Sequence, residues 1–122
     1  MSTITLRILV SEENTDSDRI EWLTQSLMKQ LYDMDVDNIS RLREGNLPRG
    51  AKGDPLTIGA IALAITVAGL PSLISFIQNW ITDTRKVSIE VPNGTRVEFV
   101  AEKKYSQDEI IALVKKLNQI SS

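Results

Sequence analysis

A chain of 122 residues with a formal net charge of −2, no cysteine and no histidine has room for one core, and it is read as a single domain over residues 1–122. The two missing residue types remove disulfides, the usual zinc ligands, the usual thiol nucleophile and the usual general base near neutral pH. Lysines and arginines are scattered rather than striped, which argues against the basic face that nucleic-acid binding demands.

Met1 to Arg7 lacks a basic stretch followed by an apolar region and a small-residue cleavage site, so it does not read as a secretion signal and the expected compartment is the cytoplasm. Ile4, Leu6, Ile8 and Val10 alternate with Thr3, Thr5, Arg7 and Leu9, the period of a half-buried strand. Glu12, Glu13, Asp16 and Asp18 follow without calcium-loop spacing and read as a solvated turn and helix start. From Ser17 to about Asp33 the apolar positions Ile20, Leu23, Leu27 and Leu31, with Met28 beside them, predict an amphipathic helix. Trp22 and Trp80 both fall on predicted helices, where a core or interface role outweighs ligand stacking. Val36 to Arg43 is a weaker strand candidate resting on Val36, Ile39 and Leu42.

The stretch from Gly45 to Gly53 is a predicted loop. It is the nearest approach to a phosphate-cradling motif, but Ala51 separates Gly50 from Lys52, and Gly53 stands where a hydroxyl residue should coordinate magnesium. A connector capped by Asp54 is the simpler reading.

From Pro55 to Thr82 no residue is charged. Asp54 followed by Pro55 supplies an N-cap acceptor and a first-turn proline. Ile58, Ile61, Ala62, Ile65, Leu73, Ile77 and Trp80 form one stripe, with Leu63, Leu70 and Ile74 on the other face. The expectation is one long apolar helix over 55–82, covered by protein on several sides. Its length would suffice for a bilayer, which needs roughly 20 apolar residues. Against that stand Gly69-Leu70-Pro71, the polar residues Thr57, Thr66, Ser72, Ser75, Gln78 and Asn79, and the separation of strand-forming segments into two compartments.

After the apolar run, Val87, Ile89 and Val91 alternate, as do Val97, Phe99 and Ala101. A three-residue loop, Pro92-Asn93-Gly94, pairs Ile89 with Val97 and Val87 with Phe99, and sets Glu90 opposite Arg96; a two-residue Asn93-Gly94 loop would oppose apolar and polar faces. Finally, Ser106 to Glu109 is a capping box with Tyr105 and Ile110 at the staple positions. Ile110, Leu113, Val114, Leu117 and Ile120 continue as a helical stripe. The expected fold is α+β, a small mixed sheet in the order β-α-β-α-β-β-α. No carboxylate pair is placed for acid–base work, so the chain reads as a non-enzyme with no cofactor and no metal.

Several of these segments together resemble the effector-associated constant component family of bacterial conflict systems. They are the strand Ile4 to Val10, the stretch Leu31 to Ile39, Arg41 to Gly45, Gly50 to Asp54, the uncharged segment ending Gln78-Asn79-Trp80-Ile81, and the terminal hairpin and helix. Pro71 departs from the small residues of that family's central helix. The resemblance implies an adaptor that contacts a caspase-like or trypsin-like peptidase effector, with no catalytic motif of its own. Arg49, Gly50, Lys52, Gly53 and Asp54 are the candidate contact or cleavage loop, because glycine-rich loops with isolated cations are easily cut. Trp80 is the candidate interface residue, and a homo-oligomer is a further partner to consider. The competing expectation is a lethal, membrane-associated component whose apolar helix is released by cleavage or rearrangement.

Overall fold

The computed structural model describes residues 3–34, 36–42, 58–91 and 96–121. Along the chain run β1 (Thr3–Glu12), α1 (Ser17–Tyr32), β2 (Val36–Leu42), β3 (Ile58–Thr66), a 3-10 turn (Val67–Gly69), α2 (Leu70–Trp80), β4 (Arg85–Glu90), β5 (Arg96–Phe99) and α3 (Gln107–Ser121). The five strands form one sheet in the order β2-β3-β1-β4-β5, and every neighbouring pair is antiparallel.

Two expectations are corrected here. The sheet is antiparallel rather than mixed, and the uncharged run is no long helix: residues 55–57 lie outside the described residues, Ile58–Thr66 is β3, hydrogen-bonded to β1 on one side and β2 on the other, and only Leu70–Trp80 is α-helical, so the element order is β-α-β-β-α-β-β-α. The physical reason lies in the alternation of Ile61, Leu63 and Ile65 with Ala60, Ala62 and Ala64. Large residues at every second position match a pleated strand with one deeply buried face. Leu63 and Ile65 are buried toward the helices, whereas Ala62 and Ala64 on the other face are partly exposed. Pro71 then sits in the first turn of α2, where its missing N–H costs nothing. The proline marks a helix start, not an interruption.

Register aligns the core across all five strands. Ile39, Leu63 and Leu6 share one row, Ile61, Ile8, Ile89 and Val97 the next, and Val10, Val87 and Phe99 a third. All are buried in one cluster with Ile20, Leu23, Leu27 and Leu31 of α1, Leu70, Leu73, Ile74 and Ile77 of α2, and Ile110 and Leu117 of α3. The α1 helix lies against β3, β1 and β2, while α2 packs on α3. Burying side chains of this size contributes about 1.5–3 kcal/mol each. The helices thus cover one face of the sheet. The other carries Thr3, Thr5, Arg7, Asn38, Ser40, Ala62, Ala64, Glu90, Arg96 and Glu98.

The hairpin pairs Ile89 with Val97, Val87 with Phe99 and Glu90 with Arg96, the register that a three-residue loop requires. The loop itself, within residues 92–95, lies outside the described residues. Glu90, however, makes its salt bridge to Arg7 of β1 at 3.1 Å, and Arg96 donates instead to Ser88 Oγ at 3.5 Å. Glu90 is nearly buried and Arg7 partly exposed. A double-mutant cycle on Arg7 and Glu90 is therefore expected to show coupling of about 0.2–1 kcal/mol, reduced by salt. Stronger coupling of Glu90 to Arg96 than to Arg7 would contradict this arrangement.

Helix ends follow their local chemistry. Asp16 accepts from the Arg19 backbone N–H at 2.9 Å at the start of α1. At α3 the Ser106 N–H donates to Glu109 Oε1 at 3.0 Å, and the Glu109 N–H donates to Ser106 Oγ at 3.2 Å. The box is complete. Tyr105 meets Phe99 edge to face at 5.5 Å, joining the helix start to β5. At the end of α2, Arg85 donates Nη2 and Nε to the Trp80 carbonyl at 2.7 and 3.1 Å, and its guanidinium lies 4.1 Å from the centre of the Trp80 ring. A cation there satisfies a terminal carbonyl and opposes the negative helix end. Burial pushes the Arg85 pKa down from its ordinary value.

Hydrogen bonds from Ser106 hold the Glu109 carboxyl below the ordinary range, and the hydrogen bond from Arg19 does the same for Glu12. For a carboxylate whose folded pKa is lowered, the stabilisation is present above the unfolded value and is lost as pH falls through the folded value. The Ser106→Ala variant is expected to cost about 1 kcal/mol at neutral pH. The Glu109→Gln variant should lose less stability than the parent on acidification below the ordinary carboxylate range. Urea midpoints at neutral and acid pH check both; equal acid sensitivity of parent and Glu109→Gln would refute the box as a pH-linked element.

Candidate protein-interaction surface

The α1 helix turns its stripe of Ile20, Leu23, Leu27 and Leu31 into the core. Thr24 is buried beside that stripe, and Trp22, Gln25, Lys29, Gln30 and Tyr32 are exposed. Trp22 is 58% exposed and Tyr32 is 62% exposed, large aromatic areas for a small protein to leave in water. Trp22 lies 5.0 Å from the Arg19 guanidinium, and Arg19 in turn pairs with Glu12 at 3.0 Å.

Along the side of α1 next to β2, Glu21, Gln25, Met28, Lys29 and Tyr32 line a shallow groove of about 270 Å³, closed on the strand side by Arg41. Spacings of three and four residues place these side chains on one helix face. Arg41 fixes the groove's width: its Nη2 donates to Glu21 Oε2 at 2.9 Å, and its Nη1 donates to the carbonyls of Leu42 and Ala60 at 2.8 and 2.9 Å. Gln25 Nε2 donates to the other Glu21 oxygen at 2.9 Å. Beyond the groove β2 is the edge of the sheet, and Asp37, Asn38 and Ser40 are exposed. Tyr32 and Met28 supply the aromatic and thioether surface of the groove.

A second depression, of about 360 Å³, lies over β1, β4 and β5, with Leu9, Ser11, Lys86, Ser88, Arg96 and Glu98 among its lining residues. Among the described residues no group of His, Cys, Asp and Glu could hold a metal ion.

Of the residues singled out from sequence, Arg49, Gly50, Lys52, Gly53 and Asp54 lie outside the described residues. Trp80 is 8% exposed and belongs to the core cluster beneath Arg85, so its ring offers little area to a partner. Trp22 and Tyr32 offer far more. Trp22 could have been found in the sequence, because it falls between Ile20 and Leu23 yet off the stripe they start; the groove could not, because it depends on which strand lies beside α1. No helix among the described residues is long and apolar enough to cross a membrane.

No family model matches the chain, and no curated protein or solved structure is significantly similar to it.

Proposed function

We propose that this protein is a non-enzymatic adaptor that docks a caspase-like or trypsin-like peptidase effector in a bacterial conflict system. Two things support the reading. One is the resemblance carried by Ile4 to Val10, Leu31 to Ile39, Arg41 to Gly45 and Gly50 to Asp54, with the uncharged segment ending Gln78-Asn79-Trp80-Ile81 and the terminal hairpin and helix. The observation that carries it is the pair of exposed aromatics on α1, Trp22 beside Arg19 and Tyr32 in the groove next to β2, which among the described residues is the edge of the sheet, since aromatic residues left in water are enriched at contact surfaces. The test is co-expression with a peptidase of each class encoded beside the gene. A stoichiometric complex that survives gel filtration and is weakened by Trp22→Ala is the expected result; separate elution with every such peptidase would reject the adaptor.

The competing mechanism needs an apolar helix held ready for release, and that helix is not formed. Its first part is β3, which pairs with β1 all along from Ile58 to Thr66 and also with β2. Cleavage after Arg49 or Lys52 would cut the connection between β2 and β3 and leave both ladders intact. The expected outcome of limited proteolysis with a protease specific for basic residues is a first cut at Arg49 or Lys52, with two fragments that co-elute as one folded particle. Early cutting at Arg85 or Lys103 with those bonds intact would show that the loop is not the accessible site. Separation of the fragments would mean that the ladders do not hold β3.

A further inference from the structure

We propose that the free edge of β2 and the groove beside it bind an extended peptide segment of a partner protein as an added strand, with an apolar side chain in the groove and an acidic residue next to it on the same face. The identity of the partner rests on the adaptor reading, but the site itself does not.

Three observations converge on a peptide. The first is the edge. Among the described residues β2 pairs only with β3, so alternate residues along it direct a backbone N–H and C=O away from the sheet, a pattern that a main chain of extended peptide matches group for group. Its pairing is irregular only between Val36 and Asn38, which leaves a regular run from Asn38 to Leu42. The opposite edge, β5, has only four residues.

The second is the position of the groove. An added strand points alternate side chains to opposite faces of the sheet, and those on the helix side would fall between α1 and the new strand, over Met28 and Tyr32. Edge hydrogen bonds then supply affinity and the groove supplies selectivity, the division of labour in strand-addition recognition. Tyr32 is suited to cover an apolar side chain, because it has few rotatable bonds to immobilise.

The third is charge. Among the described residues lining it, the groove holds two cations, Lys29 and Arg41, and one carboxylate, Glu21, which accepts from Arg41 and Gln25. The balance favours an acidic group on the incoming chain.

A second copy of β2 fits this edge poorly. Two-fold pairing keeps side chains of the same face opposite one another only when it is centred on a residue. Centred on Ser40, it sets Ile39 against Arg41; centred on Ile39, it sets Arg41 against the irregular position Asp37; centred on Arg41, it sets like charges face to face.

The test is an amide NMR titration of the intact protein with capped heptapeptides Thr-X-Thr-Glu-Thr-Val-Thr, where X is leucine, isoleucine, methionine, phenylalanine or alanine. Saturable shifts are expected in β2 and along the Glu21 to Tyr32 face of α1, strongest for a large apolar X. N-methylation of alternate peptide nitrogens on the hydrogen-bonding side should weaken binding about tenfold or more, since each lost bond counts. Tyr32→Ala should weaken it several-fold, and Lys29→Glu should turn the preference from the glutamate peptide to its lysine analogue. No saturable shift with any X, equal binding of the N-methylated peptides, or shifts centred on Leu9, Lys86 and Ser88 would overturn the proposal. So would dimerisation through β2 that no peptide competes with. The two readings fail separately: a peptidase complex indifferent to Tyr32→Ala and to the peptides refutes the edge site alone, whereas peptide binding at β2 with no peptidase complex refutes the adaptor alone.

Discussion

Replacing Gly59 with alanine is expected to destabilise the protein by about 3 kcal/mol, within the upper range for overpacking a closed core. An ideal Cβ at this position would lie 1.8 Å from Thr24 Oγ1, 3.1 Å from its Cβ and 3.3 Å from its Cγ2. Thr24 is fully buried on α1, and its hydroxyl donates to the Ile20 carbonyl at 2.7 Å. Turning the hydroxyl away would give up that bond, and the threonine Cβ would still crowd the new methyl. The helix or the strand must shift, and α1 is seated across β1, β2 and β3 at once. Thr24→Ala in the same chain should relieve part of the cost, so the pair is expected to be coupled by about 1–2 kcal/mol. Urea denaturation of the two single variants and the double variant measures this. A Gly59→Ala variant within about 0.5 kcal/mol of the parent would mean that α1 does not approach β3 this closely.

The second large effect is a charge scan along β3. Ile61→Lys, Leu63→Lys and Ile65→Lys each place an ammonium among residues that are essentially inaccessible to water, and each is expected to cost more than about 4 kcal/mol or prevent folding. Ala62→Lys and Ala64→Lys point to the partly exposed face without helices and should cost about 1 kcal/mol or less. The alternation is the diagnostic. A helix through the same residues would make the tolerant positions recur every three or four residues. Circular dichroism and urea midpoints of the five variants separate the two patterns.

The period-two signal behind that scan was present in the sequence, yet it was outweighed. Alanine is short, apolar and the best helix former, so Ala62 and Ala64 extended an apparent all-round apolar surface instead of marking the partly exposed face of a strand. Asp54 and Pro55 added a helix-start signature ahead of the run, and Pro71, in the first turn of α2, looked like a break. By contrast, the β4–β5 register was legible, because counting back from Asn93-Gly94 fixes which residues oppose each other and only one loop length keeps the apolar faces together. The capping box at Ser106 and Glu109 was legible too, being contained within four residues. What local pattern cannot supply is strand order: antiparallel strands joined by loops and helices can be arranged in several ways, and the placement of β1 between β3 and β4 is decided by packing. The Arg7–Glu90 pair and the Arg41 bridge to Glu21 both follow from that order. The groove that Arg41 closes was hidden for the same reason.

The central claim is that the uncharged run is built into the sheet and the helical layer and is not kept as a helix for release. Backbone NMR of the uniformly labelled protein tests it most directly. Strand-type Cα and Cβ shifts over Ile58–Thr66, cross-strand contacts linking Ile8 with Ile61 and Leu6 with Leu63, and helical shifts that begin near Leu70 and end at Trp80 are the predicted result. Continuous helical shifts from Ile58 to Trp80, without contacts to β1, would contradict it.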